Sequence, residues 1–215
     1  MPAQSLQTDA FVLLKRPSAD AFQSFNVFSA EHGPLFVLQR LPKISSGRPR
    51  ASAKTAHSTV ALDLFDEATL MLESSNQGRT WFVKDARLIM RHAGIGRSYD
   101  ALRLASSLAS IIARNPVDED SRATVAELLR TAFAAFGSDP RPDIVYFKSL
   151  YRFARDEGYP VKQQWFPTLP PTDRTEVATL LNRPLTEQAA PSGLVTRLQR
   201  RLDEYLRGHT EILME

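Results

Sequence analysis

Two hydrophobic patterns divide this chain. Up to residue 85, short runs rich in β-branched and aromatic residues alternate with clusters of turn-forming residues, which is typical of consecutive β-strands. From Gly94 onward, apolar residues recur at helical spacing, which is typical of amphipathic helices. The strand-like runs lie in residues 8–16, 22–28, 34–41, 60–65, 70–72 and 79–84.

The first pattern predicts a small β-barrel. About five strands with one long loop suit a Greek-key barrel of the OB type, although an SH3-like barrel or a plain meander fits the pattern nearly as well. Alternation places Phe22, Asn26 and Phe28 on one face of the second strand. It places Phe25 and Val27 on the opposite face.

The second pattern predicts an all-α region. Asp118 or Asp120 is placed to cap the second helix. The helical stripes lie in residues 101–112, 125–136, 144–154, 172–182 and 192–208. Strands followed by helices favour the α+β class over a βαβ sheet. We therefore predict an OB-type barrel in residues 1–85, with a basic loop at 42–56, followed by a helical domain in residues 86–215.

Positive charge is concentrated near the amino terminus. Residues 1–56 contain seven Lys or Arg and three Asp or Glu, a net +4, whereas the remaining 159 residues carry −1. No Asp or Glu occurs from His32 to Leu62. A local positive field on a near-neutral body indicates a polyanionic partner, with a solvated surface patch as the simpler alternative.

The basic residues of this region are candidate contacts for DNA phosphates, because Lys and Arg release counterions when they neutralise phosphates. The candidates are Lys15, Arg16, Arg40, Lys43, Arg48, Arg50 and Lys54. Arg87 and Arg91 would extend this track along one helix face if their segment is helical. Pairing with acidic neighbours is the alternative for these two.

Several phenylalanines of the predicted strands are candidates for stacking on bases, and barrel core is the alternative. They are Phe11, Phe22, Phe25, Phe28 and Phe36. Because alternate side chains of a strand point to opposite faces, we expect most of these rings to lie in the core.

No pattern in the chain indicates catalysis or a cofactor. Without cysteine the chain forms no disulfide and no thiolate metal site, and its four histidines show no ligand spacing. Gly94-Ile95-Gly96 lacks the third glycine of a dinucleotide-binding turn. We find no nucleophile–base pair, so the prediction is a non-enzyme without metal. A signal peptide and an apolar run of membrane-spanning length are not expected either.

The order of these parts resembles the RecO family of bacterial DNA-repair proteins. The resemblance lies in the first strand ending at Lys15, the aromatic second strand, the turn at residues 29–33 and the basic segment that follows the third strand. Residues 70–73, 81–86, 147–160 and 194–206 also resemble family segments. The ordered set covers nearly the whole chain.

One difference from that family concerns zinc. Many of its members carry a four-cysteine zinc site after a Gly-Tyr-x-Pro element. Here residues 161–167 follow Gly158-Tyr159-Pro160 and contain no cysteine, so the chain is similar to a divergent member without zinc.

The resemblance implies a recombination mediator. Such a protein binds single- and double-stranded DNA, anneals complementary strands and helps load recombinase onto single strands coated by single-strand-binding protein. The resemblance also implies a RecR-type partner, contact with the C-terminal tail of single-strand-binding protein, and a cytoplasmic, nucleoid-associated location.

A partner tail of this kind needs an apolar groove with cations beside it. The candidate lining residues are Leu150, Phe153, Trp165 and Phe166, with Arg152, Arg155 or Lys162 meeting carboxylates of the tail. A helical core is the alternative for the apolar residues. We expect Trp165 to be the most exposed, because it lies in a Pro-rich segment outside the predicted helices.

Three functional hypotheses remain. The first is a DNA-binding, strand-annealing factor without catalytic activity. The second is an adaptor whose helical domain binds a protein tail without direct DNA binding. The third is an enzyme whose site the sequence does not show.

Overall fold

Five strands form a closed barrel in the computed structural model, which describes residues 4–18, 21–41, 60–74 and 76–214. They are β1 (Gln4–Lys15), β2 (Phe22–Ser29), β3 (Gly33–Arg40), β4 (Glu67–Ser74) and β5 (Trp81–Met90). Around the barrel the order is β1-β2-β3-β5-β4; β3 and β5 are parallel and the other pairs antiparallel. The predicted α+β class, a five-stranded OB-like barrel followed by helices, is confirmed.

Alternation along the strands fills the barrel interior. Val12, Phe25, Val37, Leu70 and Trp81 point inward and are each at most 8% exposed. The register joins β3 to β5 through only two residue pairs, whereas β2 pairs with β3 along its full length.

The segment Val60–Phe65, which the pattern predicted as a strand, is not one. It is irregular and ends in a turn, where Phe65 has a left-handed backbone with φ of 66°. The side chain of Gln39 replaces a strand partner: its Nε2 donates to the Val60 carbonyl at 2.7 Å, and its Oε1 accepts from the Leu62 amide at 3.0 Å. Leu62 belongs to the barrel core. The apolar residues of this segment therefore reflect packing against the barrel and not pairing within the sheet.

The chain divides into two compact units, Met1–Arg91 and His92–Glu215. The sequence-based division after residue 85 lies earlier, because β5 continues to Met90. Helices of the second unit are α1 (Tyr99–Arg114), α2 (Arg122–Ser138), α3 (Pro142–Asp156), the single turn α4 (Phe166–Thr168), α5 (Pro171–Asn182) and α6 (Ser192–His209). The apolar stripes of the sequence correspond to the longer helices.

The ends of the helices differ in part from the prediction. Neither Asp118 nor Asp120 caps α2; a 3₁₀ turn, Glu119–Ser121, precedes that helix, and its N-cap residue makes no side-chain capping bond. Gly158 follows α3 with φ of 83°, a conformation that glycine adopts without strain. A π-helical turn, Val161–Trp165, then leads into α4.

A close backbone approach fixes the start of the helical unit. Gly94 lies against the end of α2, where a Cβ atom on Gly94 would be 2.2 Å from the carbonyl oxygen of Gly137. At Gly96, two residues further on, a Cβ atom would meet nothing within 4 Å. In the described part of the chain, every helix is too short or too polar to cross a membrane.

Candidate nucleic-acid interface

The outward side chains of β2, β3 and the start of β5 form one surface, which we call the β2–β3–β5 face. Because Phe25, Val27 and Val37 point inward, their neighbours in sequence point outward. The face consists of Phe22, Ser24, Asn26, Phe36, Leu38, Arg40 and Phe82, with Arg16 at its edge. The predicted separation of Phe22 and Asn26 from Phe25 and Val27 agrees with the burial along β2, but Phe28, predicted to share the face of Phe22, is fully buried.

Aromatic rings of this face are partly exposed and contact one another. The register pairs Phe22 with Arg40, and Leu38 with Phe82. The rings of Phe22 and Phe82 meet edge to face, with centroids 5.7 Å apart and planes at 72°. Both rings are half-buried, so each leaves part of its surface open to solvent.

The charge of this face is positive. Neither β2 nor β3 contains an Asp or Glu. The Arg16 guanidinium lies 5.6 Å from the centroid of the Phe36 ring, a cation–π contact. Arg40 is exposed, and its side chain forms no hydrogen bond or ion pair with any residue that the structure describes. A polyanion therefore meets no carboxylate on β2 or β3, and the carboxylate beside Phe82, that of Glu73 on β4, is paired with Lys84 at 2.7 Å.

Two other predicted DNA contacts are bound to carboxylates of the turn at residues 60–66. Lys15 Nζ donates to Asp63 Oδ1 at 2.9 Å. Arg91 donates to both oxygens of Asp66, at 2.9 and 2.6 Å, and to the Ala61 carbonyl. The Asp66 side chain is 0% exposed. Arg91 therefore stabilises the barrel, and most of its donors are unavailable to phosphates.

The pKa of Asp63 reflects this pairing. Burial alone would raise the pKa of this carboxyl, but hydrogen bonds from Lys15 and the Leu64 amide, with the charges of Lys15 and Arg91, hold it below the ordinary value. The hydrogen bond to Asp66 raises the pKa of Arg91 in turn. Both effects keep these groups charged and paired at neutral pH.

The interpretation of Arg87 and Arg91 as neighbours on a helix is wrong, because β5 continues through Met90. Residues 82–90 of β5 pair with β4, and this pairing overrides the four-residue spacing of Arg87 and Arg91 that suggests a helix. Arg87 is 82% exposed and its Nε lies 3.5 Å from an Asp85 carboxylate oxygen. Such an exposed pair contributes little to stability.

The remaining basic candidates, Lys43, Arg48, Arg50 and Lys54, lie outside the described residues.

Strand alternation explains only part of the division among the aromatic candidates, because Phe28 shares the face of Phe22 and Phe11 adjoins the inward-facing Val12, yet both rings are buried. Phe11, Phe25 and Phe28 are at most 3% exposed and cannot stack on a base without unfolding. Phe22 and Phe36 are half-buried on the face. Phe82 was missed by the sequence analysis, although its position between the inward-facing Trp81 and Val83 is the alternation that identifies an outward ring.

A second candidate site is a groove of about 630 Å³ within the helical unit. Its apolar lining includes Leu128, Ala132, Val145, Phe166, Leu181 and Leu185. Its cationic lining consists of Lys148, Arg152, Arg155 and Lys162. Helices α2, α3 and α5 supply most of these residues, so the groove rests on packed helices.

The cations of the groove differ in how they are held. Arg152 and Arg155 both bind Asp156, with nitrogen–oxygen distances of 3.3 and 2.6 Å. Lys148 Nζ donates to the Arg183 carbonyl at 2.7 Å, and burial lowers the pKa of Lys148. Lys162 is exposed and has no ion pair within the described residues.

Three residues predicted for this groove are core residues instead. Leu150, Phe153 and Trp165 are 0%, 1% and 2% exposed. The expectation that Trp165 is exposed is wrong, because the π-helical turn directs its ring toward Phe147 and Tyr151, at centroid distances of 6.5 and 6.1 Å. Of the predicted residues, Arg152, Arg155, Lys162 and Phe166 line the groove.

Two searches address relatives of the chain. No protein-family model matches this sequence, and no curated protein matches it. The resemblance to the RecO family is therefore a prediction that rests on the ordered motifs alone. Across the described ranges, no three His, Cys, Asp or Glu side chains are grouped as metal ligands.

Proposed function

We propose that this chain is a DNA-binding recombination mediator without catalytic activity. The observation that carries the proposal is the β2–β3–β5 face, where Arg40 ends a strand without carboxylates and Arg16, just after β1, lies over the Phe36 ring of that same strand. The equivalent strands of OB folds bind oligonucleotides. The resemblance to the RecO family supports the same function.

The mechanism follows from charge. Cations on the face neutralise phosphates of one strand and lower its repulsion of a complementary strand. Base pairing then supplies the specificity, so annealing needs no nucleotide hydrolysis. In the proposed role the chain works in the bacterial cytoplasm beside the nucleoid, with a RecR-type partner, and helps load recombinase onto coated single strands.

The test is the salt dependence of oligonucleotide binding, followed by fluorescence anisotropy. Replacing Arg16 and Arg40 with alanine should reduce the slope of log affinity against log salt by about 1.4, at about 0.7 per lost contact with a single strand. The matched control replaces Arg103 and Arg200, two exposed arginines of the helical unit, and should leave the slope unchanged. An unchanged slope in the first variant would remove the face from the binding site.

A second candidate function is that of an adaptor, which the groove of the helical unit favours. Its apolar floor and its four cations suit an acidic tail that carries apolar residues, such as the C-terminal tail of single-strand-binding protein. Lys162 is the most accessible of these cations. This role is compatible with DNA binding by the barrel.

The adaptor function is tested with a labelled peptide that contains four aspartates and ends in two apolar residues. The wild-type chain should bind this peptide more tightly than the version with asparagines, and Lys162→Glu should weaken binding. Arg200→Glu, an exposed charge reversal on α6, is the control. Equal binding of the acidic and neutral peptides would exclude recognition by charge.

A further inference from the structure

Three aromatic rings on the barrel exterior lie close together. Phe22, Phe36 and Phe82 are half-buried, although the interior beside them holds fully buried rings such as Phe25 at 0% exposure. They come from three different strands. Rings in the interior account for the stability of the barrel, whereas these outer rings keep part of their surface in water.

The register sets the spacing of the rings. Leu38 pairs with Phe82, and Phe36 is two residues away from Leu38 on the same face of β3, so Phe36 and Phe82 are diagonal neighbours. Phe22 lies on the other side of β3 and reaches over that strand to the Phe82 ring, at 5.7 Å. The three rings therefore follow a row on the outer face, with Phe22 and Phe82 in contact and Phe36 two residues further along β3 from the partner of Phe82.

Cations accompany this row. The Arg16 guanidinium lies over the Phe36 ring at 5.6 Å, and Arg40 is the register partner of Phe22. The other polar side chains of the face are Ser24 and Asn26, both short and uncharged. An aromatic row bordered by arginines matches a ligand that alternates flat apolar rings with negative groups. A purely apolar protein partner would leave both arginines unsatisfied.

We infer that the β2–β3–β5 face binds unpaired bases by stacking them on Phe22, Phe36 and Phe82, while Arg16 and Arg40 contact the adjacent phosphates. The inference rests on the proposed DNA-binding function and specifies the form of DNA that the face selects. In a duplex the faces of the bases are covered by their stacked neighbours, so only a single strand can use the rings. Because every base can stack on an aromatic ring, we expect the site to bind single strands without sequence specificity.

The test uses the full chain and three ligands of equal length: a thymidine oligomer, an abasic oligomer with the same phosphates, and a duplex. Wild-type protein should bind the thymidine oligomer at least about fivefold more tightly than the abasic oligomer. Phe82→Leu and Phe36→Leu should each lower the affinity for thymidine toward the abasic value. They should lower the affinity for the abasic oligomer much less, because that oligomer presents no bases to the rings.

Met71→Ala is the matched control, because Met71 is an apolar side chain on β4, outside the face, with 48% exposure. It should change none of the three affinities. Circular dichroism of each variant verifies the fold, and the comparison of ligands with wild-type protein needs no variant at all.

The outcomes separate the two proposals. Absence of binding to all three ligands at low salt would overturn the DNA-binding function itself. Equal affinity for the thymidine and abasic oligomers would leave that function standing and overturn stacking. Duplex bound as tightly as the thymidine oligomer would overturn the selection of single strands.

Discussion

The cations of the barrel face and those of the helical unit have different neighbours. On the face, Arg16 lies over the Phe36 ring and Arg40 meets no carboxylate in the described part of the chain. In the helical unit, Arg197 and Arg201 both approach Asp173, at 2.6 and 3.4 Å.

The partner of those two arginines has a structural role. The Asp173 side chain lies in the first turn of α5 and is only 5% exposed, and Arg197 and Arg201 belong to α6. The carboxylate therefore ties two helices together, whereas the guanidinium groups of the face remain open to a ligand. The role of an arginine therefore depends on its partner, which a count of charges does not reveal.

The largest expected effect tests whether DNA binding belongs to the barrel. Gly94→Ala places a Cβ atom 2.2 Å from the carbonyl oxygen of Gly137, which is closer than van der Waals contact allows. We therefore expect the free energy of unfolding of the helical unit to fall by about 1–3 kcal/mol. Thermal unfolding measures the loss. Binding of the thymidine oligomer, measured well below the melting temperature, should change less than twofold.

Gly96→Ala is the matched control for that variant. Open space surrounds Gly96, so the substitution should leave the melting temperature nearly unchanged. A Gly94→Ala chain that stays folded but loses DNA binding would contradict the assignment of DNA binding to the barrel, because the helical unit would then contribute directly to the site.

The second prediction concerns the paired cations of the barrel. Asp66→Asn removes the charge that holds Arg91, and the cost should be about 1–3 kcal/mol, below that of a fully buried pair because Arg91 is 43% exposed. Asp63→Asn should cost less than about 1 kcal/mol, since that carboxylate is 61% exposed. Urea unfolding of both variants measures the difference.

The salt dependence of oligonucleotide binding shows whether Arg91 also contacts DNA. If Arg91 only stabilises the barrel, Asp66→Asn lowers stability and leaves the salt slope of binding unchanged. A steeper salt slope for Asp66→Asn would show that Arg91 contacts phosphates once Asp66 no longer binds it.

Local sequence predicted the barrel interior and the helices because both depend on short-range periodicity. The alternation of Phe25 and Val27 with Phe22 and Asn26 placed the two faces of β2 correctly. The same rule applied to Trp81 and its neighbours identifies Phe82 as an outward ring, so that residue was within reach of the sequence.

Pairing between distant residues was beyond local sequence. Asp66 and Arg91 are 25 residues apart, and Lys15 and Asp63 are 48 apart; closure of the barrel brings each pair together. Trp165 shows a different limit. A Pro-rich segment without helical spacing indicated exposure, but the π-helical turn buries the ring.

The smallest expected effect is the pH dependence of stability that the carboxyl group of Asp203 causes in the helical unit. Burial raises the pKa of Asp203, the attraction of Arg207 and a hydrogen bond from Gln199 oppose this, and the charge of Glu204 adds to it. A folded-state pKa above the unfolded value means that the native state binds more protons, so this carboxyl lowers stability as the pH rises above about 4.

Asp203→Asn removes that titration while the amide oxygen still accepts from Gln199 at the observed 2.6 Å. We expect the variant to match the wild type near pH 3 and to exceed its stability by less than about 1 kcal/mol at pH 7, because partial exposure weakens the effect. Urea unfolding across this pH range measures the gap. A gap that stays constant with pH would contradict this, because it would mean that Asp203 titrates alike in the folded and unfolded chains.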